Sequence, residues 1–165
     1  MRLSTLLVPV ASILSLACAQ IGAIDTAIAH IRRDVEALKD AFNTGAAASI
    51  TSSFTKLDDS ISTATTVVHQ SPDIGFLHAF KLASYIGSLY ASIDQAFTVI
   101  KTKRSASDAL GLTAAVRTSL VSQRSAVDTL GTEVVAKVPR IIHASAKSFM
   151  KQVDNSYASA ITAYS

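Results

Sequence analysis

Apolar residues recur at spacings of three and four along almost the whole chain. Between Ile21 and Asn43 they fall at Ile21, Ile24, Ile28, Ile31, Val35, Leu38 and Phe42. That 3-4-3-4-3-4 stripe specifies one buried face of an α-helix. Gly45 follows where a C-terminal glycine cap belongs. A second stretch, Ala46 to Gln70, repeats the spacing with Ile50, Phe54, Leu57, Ile61, Ala64 and Val68. Its other faces are mostly Ser, Thr and Ala. Ser and Thr are mediocre helix formers, so packing must hold this helix. Ser71-Pro72 ends it, because a residue before proline avoids helical angles.

The stretch from Pro72 to Arg104 concentrates five of the ten aromatic residues, Phe76, Phe80, Tyr85, Tyr90 and Phe97. One face reads Leu82, Ile86, Leu89, Ile93, Phe97, Ile100, and a second reads Phe76, Phe80, Tyr90 and again Phe97. So wide an apolar stripe predicts a helix surrounded by partners, either the centre of a bundle or one wall of an apolar cavity. Asp73 is expected in its first turn, and a bend is expected near Gly87. Lys101, Lys103 and Arg104 complement the dipole at its C-terminal end.

A loop over Ser105 to Gly111 leads to a fourth helix from Thr113, with Val116, Leu120, Val127, Leu130 and Val134. Gln123 interrupts that stripe. Val138-Pro139 breaks the chain again before a last helix, Arg140 to Tyr164, with Ile142, Ala146, Phe149, Val153, Tyr157, Ile161 and Tyr164. Five helices with short connections and no convincing strand predict an all-α, up-and-down bundle.

Residues 1–19 read as a secretory signal peptide. Arg2 supplies the positive start, Leu6 to Leu16 the apolar core, and Ala17-Cys18-Ala19 the small-x-small cleavage pattern. The apolar core is too short for a membrane anchor. Cleavage before Gln20 leaves one domain, residues 20–165, without cysteine, since Cys18 is the only one. The expected destination is outside the cell, in soluble or wall-associated form.

Composition adds one point. Charged residues make up only 16% of the chain, against about 25% in ordinary domains, and Ser, Thr and Ala take their places. The net charge of +3 is spread thinly, so no concentrated basic face points to nucleic acid.

Catalytic chemistry finds little support. His30, His69, His78 and His143 show no metal-ligand spacing, and neither a Gly-x-Ser-x-Gly elbow nor a glycine-rich phosphate loop is present. His30 and Asp34, four apart, read as a surface pair rather than a catalytic dyad. Asp58 and Asp59, adjacent on a helix, point about 100° apart and cannot act as one acid–base unit. No cofactor is expected.

Two constellations can bind. Phe76, Phe80, Tyr85, Ile86, Leu89, Tyr90, Ile93 and Phe97, with Gln123, read as ordinary core or as the wall of an apolar pocket whose polar contacts come from Tyr85, Tyr90 and Gln123. Arg140, His143, Lys147 and Lys151 share one face of the last helix. They read as a solvated face or as a docking strip for carboxylates, anionic lipid or anionic wall polymer.

The order of features resembles the fungal hydrophobic surface-binding protein A family, whose domain also occurs in cell-wall galactomannoproteins. The resemblance rests on the signal peptide, the aliphatic heptads separated by Ser, Thr and Ala, and the absence of mature cysteines. More specific are Asp108-Ala109-Leu110-Gly111-Leu112, Ala136-Lys137-Val138-Pro139 and the closing Ser159-Ala160-Ile161-Thr162-Ala163-Tyr164-Ser165. The resemblance implies a secreted, non-catalytic helical protein that adsorbs to hydrophobic surfaces or binds lipid. Its expected partners are hydrophobic surfaces or fatty acid, with cell-wall polysaccharide or a secreted hydrolase as further candidates. A close-packed interior would favour adsorption, and an elongated apolar cavity would favour a carrier of fatty acid or sterol.

Overall fold

The computed structural model describes residues 8–165, with side chains from Gly22 onward. The leader expected at residues 1–19 therefore falls on residues 1–7, outside the described part, and on a stretch of helix described by backbone alone. The elements are α1 (Val8–Thr44), α2 (Ala47–Gln70), α3 (Phe76–Thr102), α4 (Arg104–Ala109), α5 (Thr113–Lys137), a 3-10 turn (Arg140–Ile142) and α6 (His143–Ala163). The five long helices are those that the apolar spacing predicts.

Helix ends follow local chemistry. Gly45 takes φ +71°, and its N–H donates to the Ala41 carbonyl at 3.0 Å, closing α1 with a left-handed cap. Two expectations are corrected. Asp73 lies outside α3, because residues 72–75 form an extended linker whose Ile74 is buried and donates its N–H to the Lys137 carbonyl at 2.7 Å. The segment expected as a loop from Ser105 forms α4, closed by Gly111 at φ +69°.

The long helices alternate in direction along the chain, yet ring order is not chain order. α1 packs on α2 and α3, α2 also on α5, and α6 closes the ring between α5 and α3. Contacts such as Asp25–Lys81 and Glu36–Ser92 keep a constant offset, so α3 runs parallel to α1. The linkers after Pro72 and Pro139 lie together at one end, here the upper end, and the Gly45 turn and α4 lie at the lower end. α3 is thus one wall of a ring with two neighbours, not a centre surrounded by partners. Its Leu82, Leu89, Ile93, Phe97 and Ile100 face inward, while Phe76, Phe80 and Tyr85 stay exposed.

The lower half is solid. Phe42 meets Phe54 edge-on at 6.0 Å between ring centroids, and Phe97 meets Tyr157 at 4.6 Å. The Tyr164 hydroxyl donates to the Ile100 carbonyl at 2.8 Å and lies 3.1 Å from Ser107 Oγ. This ties the end of α6 to α3 and α4. Burial among apolar side chains pushes the Tyr157 and Tyr164 phenols up from their ordinary value.

Candidate functional site

The upper half of the ring is hollow. A cavity of about 330 Å³ lies between α1, α2, α3, α5 and α6. The residue sizes explain why. Following the ring upward, α1 turns Ala27 inward, α2 Ala64, α3 Ala79, and α5 Gly131, where the lower half has Phe42, Phe54, Phe97 and Tyr157. Small side chains on four facing helices cannot fill the space that aromatics fill below. Each stripe taken alone hides this. Setting the stripes in alternating directions collects the small residues at one end, and that was the available signal.

The wall is apolar almost throughout, with Ile24, Ile28, Ile61, Val68, Leu130 and Val134 among its residues, and Ser145 supplies the one hydroxyl of the described lining. Among the described residues, no charged side chain lines it. Phe80, Ala83, Gly87 and Ser145 both line the cavity and are exposed, so the cavity opens sideways between the upper halves of α3 and α6. Lower down that seam is closed by Tyr90 against Phe149 at 6.0 Å and by the Phe97–Tyr157 pair. The mouth exists because Ala83, Gly87, Ser145 and Ala146 are too small to bridge the two helices.

Of the residues singled out from sequence, Phe80, Ile86, Leu89 and Ile93 line the cavity. The others lie elsewhere. Tyr90 and Phe97 staple α3 to α6, and Phe76 packs on Phe80 at 4.7 Å on the outer surface. Tyr85 borders a shallow groove with Asp25 and Arg32, with the Lys81 ammonium 5.6 Å from its ring centre.

Gln123 is wholly buried one helical turn below Val127, beneath the cavity floor. Its Nε2 donates to the Phe54 carbonyl at 3.2 Å, which accounts for a polar residue in an apolar stripe. Its Oε1 and Asp58 Oδ1 are enclosed without partners. Burial raises the Asp58 carboxyl above its ordinary value, partly offset by the nearby Gln123 amide.

The basic strip stays outside the cavity. The His143 ring engages the Val138 carbonyl at 2.9 Å, while Arg140, Lys147 and Lys151 are exposed. Asp154 is held by Arg124 through two hydrogen bonds, and that donation keeps its carboxyl below its usual range. The pairing expected of His30 and Asp34 is corrected too. Asp34 is buried and accepts from Ser60 Oγ and from Arg33 Nε, because a carboxylate taken out of water needs donors within reach.

Among the described residues, no helix is long and apolar enough to cross a membrane, and no three His, Cys, Asp or Glu side chains gather as a metal site. The described residues thus form a helical ring around an apolar cavity whose described lining holds no acid–base or nucleophilic pair. Residues 18–136 match the family model described as hydrophobic surface binding protein A, and the chain belongs to that family. No curated protein sequence matches it.

Among solved structures it is similar to ligand-binding domain 1 of the Penicillium marneffei MP1 protein, complexed with arachidonic acids. That pair has a TM-score of 0.85 and 18% identity over 88% of this chain and 99% of the other. It is also similar to AFMP4P in complex with palmitic acid, with a TM-score of 0.84 and 19% identity over 88% of this chain and 99% of that one. Ligand-binding domain 2 of the same MP1 protein, complexed with multiple arachidonic acids, follows with a TM-score of 0.75 and 18% identity over 85% and 95%.

Proposed function

We propose that this protein binds a fatty acid, or another single-chain lipid, with the acyl chain inside the upper cavity and the head group at the mouth between α3 and α6. The observation that carries the reading is the cavity itself, about 330 Å³ and apolar. At about 30 Å³ for each water-sized group, it has room for about 11 such groups, enough for most of one long acyl chain. A charged head group finds no counter-ion in the wall, so the carboxylate stays at the mouth, near the Ser145 hydroxyl and solvent.

Energetics agree. Burying about a dozen methylenes at about 0.8 kcal/mol each gives roughly 10 kcal/mol. Association costs remove about 4 kcal/mol at the low end, which leaves at most about 6 kcal/mol, an affinity of tens of micromolar at best. The fatty acids held by similarly folded proteins support the same reading, as does membership of a family described by hydrophobic surface binding. The reading requires no catalysis. The leader-like residues 1–19 support secretion, so the ligand is met outside the cell.

Native mass spectrometry of protein expressed in a lipid-containing host is the direct test, followed by titration with palmitate. The expected result is a one-to-one adduct of fatty-acid mass. A protein that emerges empty and ignores added palmitate refutes the reading.

A further inference from the structure

The rim of the cavity exposes more apolar surface than ligand binding requires. Leu77 is 83% exposed and Ile141 74%, and neither lines the cavity. Beside them Phe80 is 57% exposed and Phe76 49%. A single exposed leucine is ordinary, but these four lie together at the upper end. The hydrogen bond from the Ile74 N–H to the Lys137 carbonyl holds the two proline linkers side by side. That tie sets the first turn of α3 next to the turn that carries Ile141. Phe80, one of the four, and the adjoining Ile142 also line the cavity, so the patch runs directly into the mouth.

Charge at the same end has one prevailing sign. Lys137, Arg140 and Lys147 surround the patch, and none has an ion-pair partner among the described residues. Asp25 and Glu133 nearby are engaged, by Lys81 and His69 respectively, which leaves Asp73 as the rim's free carboxylate. Protruding aliphatic and aromatic side chains inside a ring of free cations match the acyl–phosphate boundary of a bilayer, where each finds its own chemistry.

We propose that this rim docks on a phospholipid bilayer carrying anionic headgroups. Leu77, Ile141 and Phe76 enter the acyl boundary, the three cations meet lipid phosphates, and the mouth opens onto the membrane so that ligand passes without crossing bulk water. A second copy of the chain fits the surface less well, because a two-fold contact would bring the same cations face to face. Each cation near an anionic surface contributes about fivefold in affinity, so the three together contribute about a hundredfold. The transfer role rests on the acyl-binding reading, whereas the docking does not.

Two measurements on the purified protein separate them. Co-sedimentation of unloaded protein with phosphatidylcholine vesicles, with and without phosphatidylserine, reads docking. Transfer of a fluorescent fatty acid from protein to the same vesicles reads the passage of ligand. The double variant L77D/I141D changes only exposed side chains outside the cavity and is expected to keep its thermal stability and its affinity for the probe within about twofold.

Pelleting of the parent with phosphatidylserine vesicles, at least tenfold weaker for the variant and weaker in high salt, supports docking. So does a transfer rate that rises in proportion to vesicle concentration for the parent and not for the variant. Failure of the parent to pellet, equal pelleting of parent and variant, or a concentration-dependent dimer that the variant abolishes in place of vesicle binding overturns it. A transfer rate independent of vesicle concentration overturns the transfer role. A protein that pellets yet binds no fatty acid upholds docking and refutes the acyl-binding reading.

Discussion

A single methyl group at position 131 tests whether the cavity is where ligand lies. Gly131 is buried on α5, and a Cβ placed there would lie 2.0 Å from Met150 Cε and 2.3 Å from Met150 Sδ on α6. Nothing in the protein tolerates that overlap, so Met150 must turn away. It already lines the cavity, and the cavity is the apolar space open to it. In Gly131→Ala the thioether and methyl therefore move inward and take the volume of about two water-sized groups, roughly 60 Å³. A bound chain loses contact for about two methylenes, about 1.6 kcal/mol, which is about fifteenfold in affinity.

Stability should change little, since replacing a helical glycine with alanine gains up to about 1 kcal/mol against a similar repacking cost. The double variant G131A/M150A removes the intruding atoms and should return affinity to within about threefold of the parent. Titration of a fluorescent fatty acid into all three proteins, with thermal unfolding as the control for folding, reads the outcome. Parental affinity in a well-folded G131A would refute the placement of ligand in the cavity. Failure of M150A to rescue the loss would refute the proposed route through Met150.

Other predictions concern the floor and the lower end. Asp58 is expected to cost stability when ionised. Its carboxyl is raised above 3.8 in the folded state by burial, so folding favours the protonated form; that advantage is complete below pH 3.8 and lost as pH rises through the folded value. In Asp58→Asn the stability gain over the parent, measured by urea unfolding, should be near zero below pH 3.8 and reach its full value at neutral pH. A gain that is independent of pH would contradict the assignment. Tyr164→Phe leaves the Ile100 carbonyl without its buried donor and removes one of the two contacts of the Ser107 hydroxyl. It should cost about 1–3 kcal/mol, about 2–4 °C in Tm for each kcal/mol, with fatty-acid affinity unchanged because the cavity lies at the other end; an unaltered Tm would show that the lower lock contributes nothing.

The sequence by itself determined the helices and their inward faces. Period-3.5 spacing reports which side of each segment avoids water, and Leu38, Leu57, Leu120 and Val153 are buried accordingly. Proline and glycine chemistry marked the ends at Gly45, Ser71 and Val138. The family was legible as well, since small and aliphatic residues in a fixed order suffice to mark it. Only the tertiary structure decided what the inward faces meet. The same heptad stripe serves a close-packed bundle and a hollow ring, because periodicity along one helix carries no information about the residues across the axis.

Which aromatics of α3 line the cavity depended on α3 lying beside α1 and α6, a ring order reached through the proline linkers. That order put Phe80 at the mouth and turned Tyr90 and Phe97 into staples. Partners distant in sequence followed the same rule: Asp34 found Ser60, and Gln123 found the Phe54 carbonyl. The cavity belongs to the space between five helices, and no stripe contains it alone.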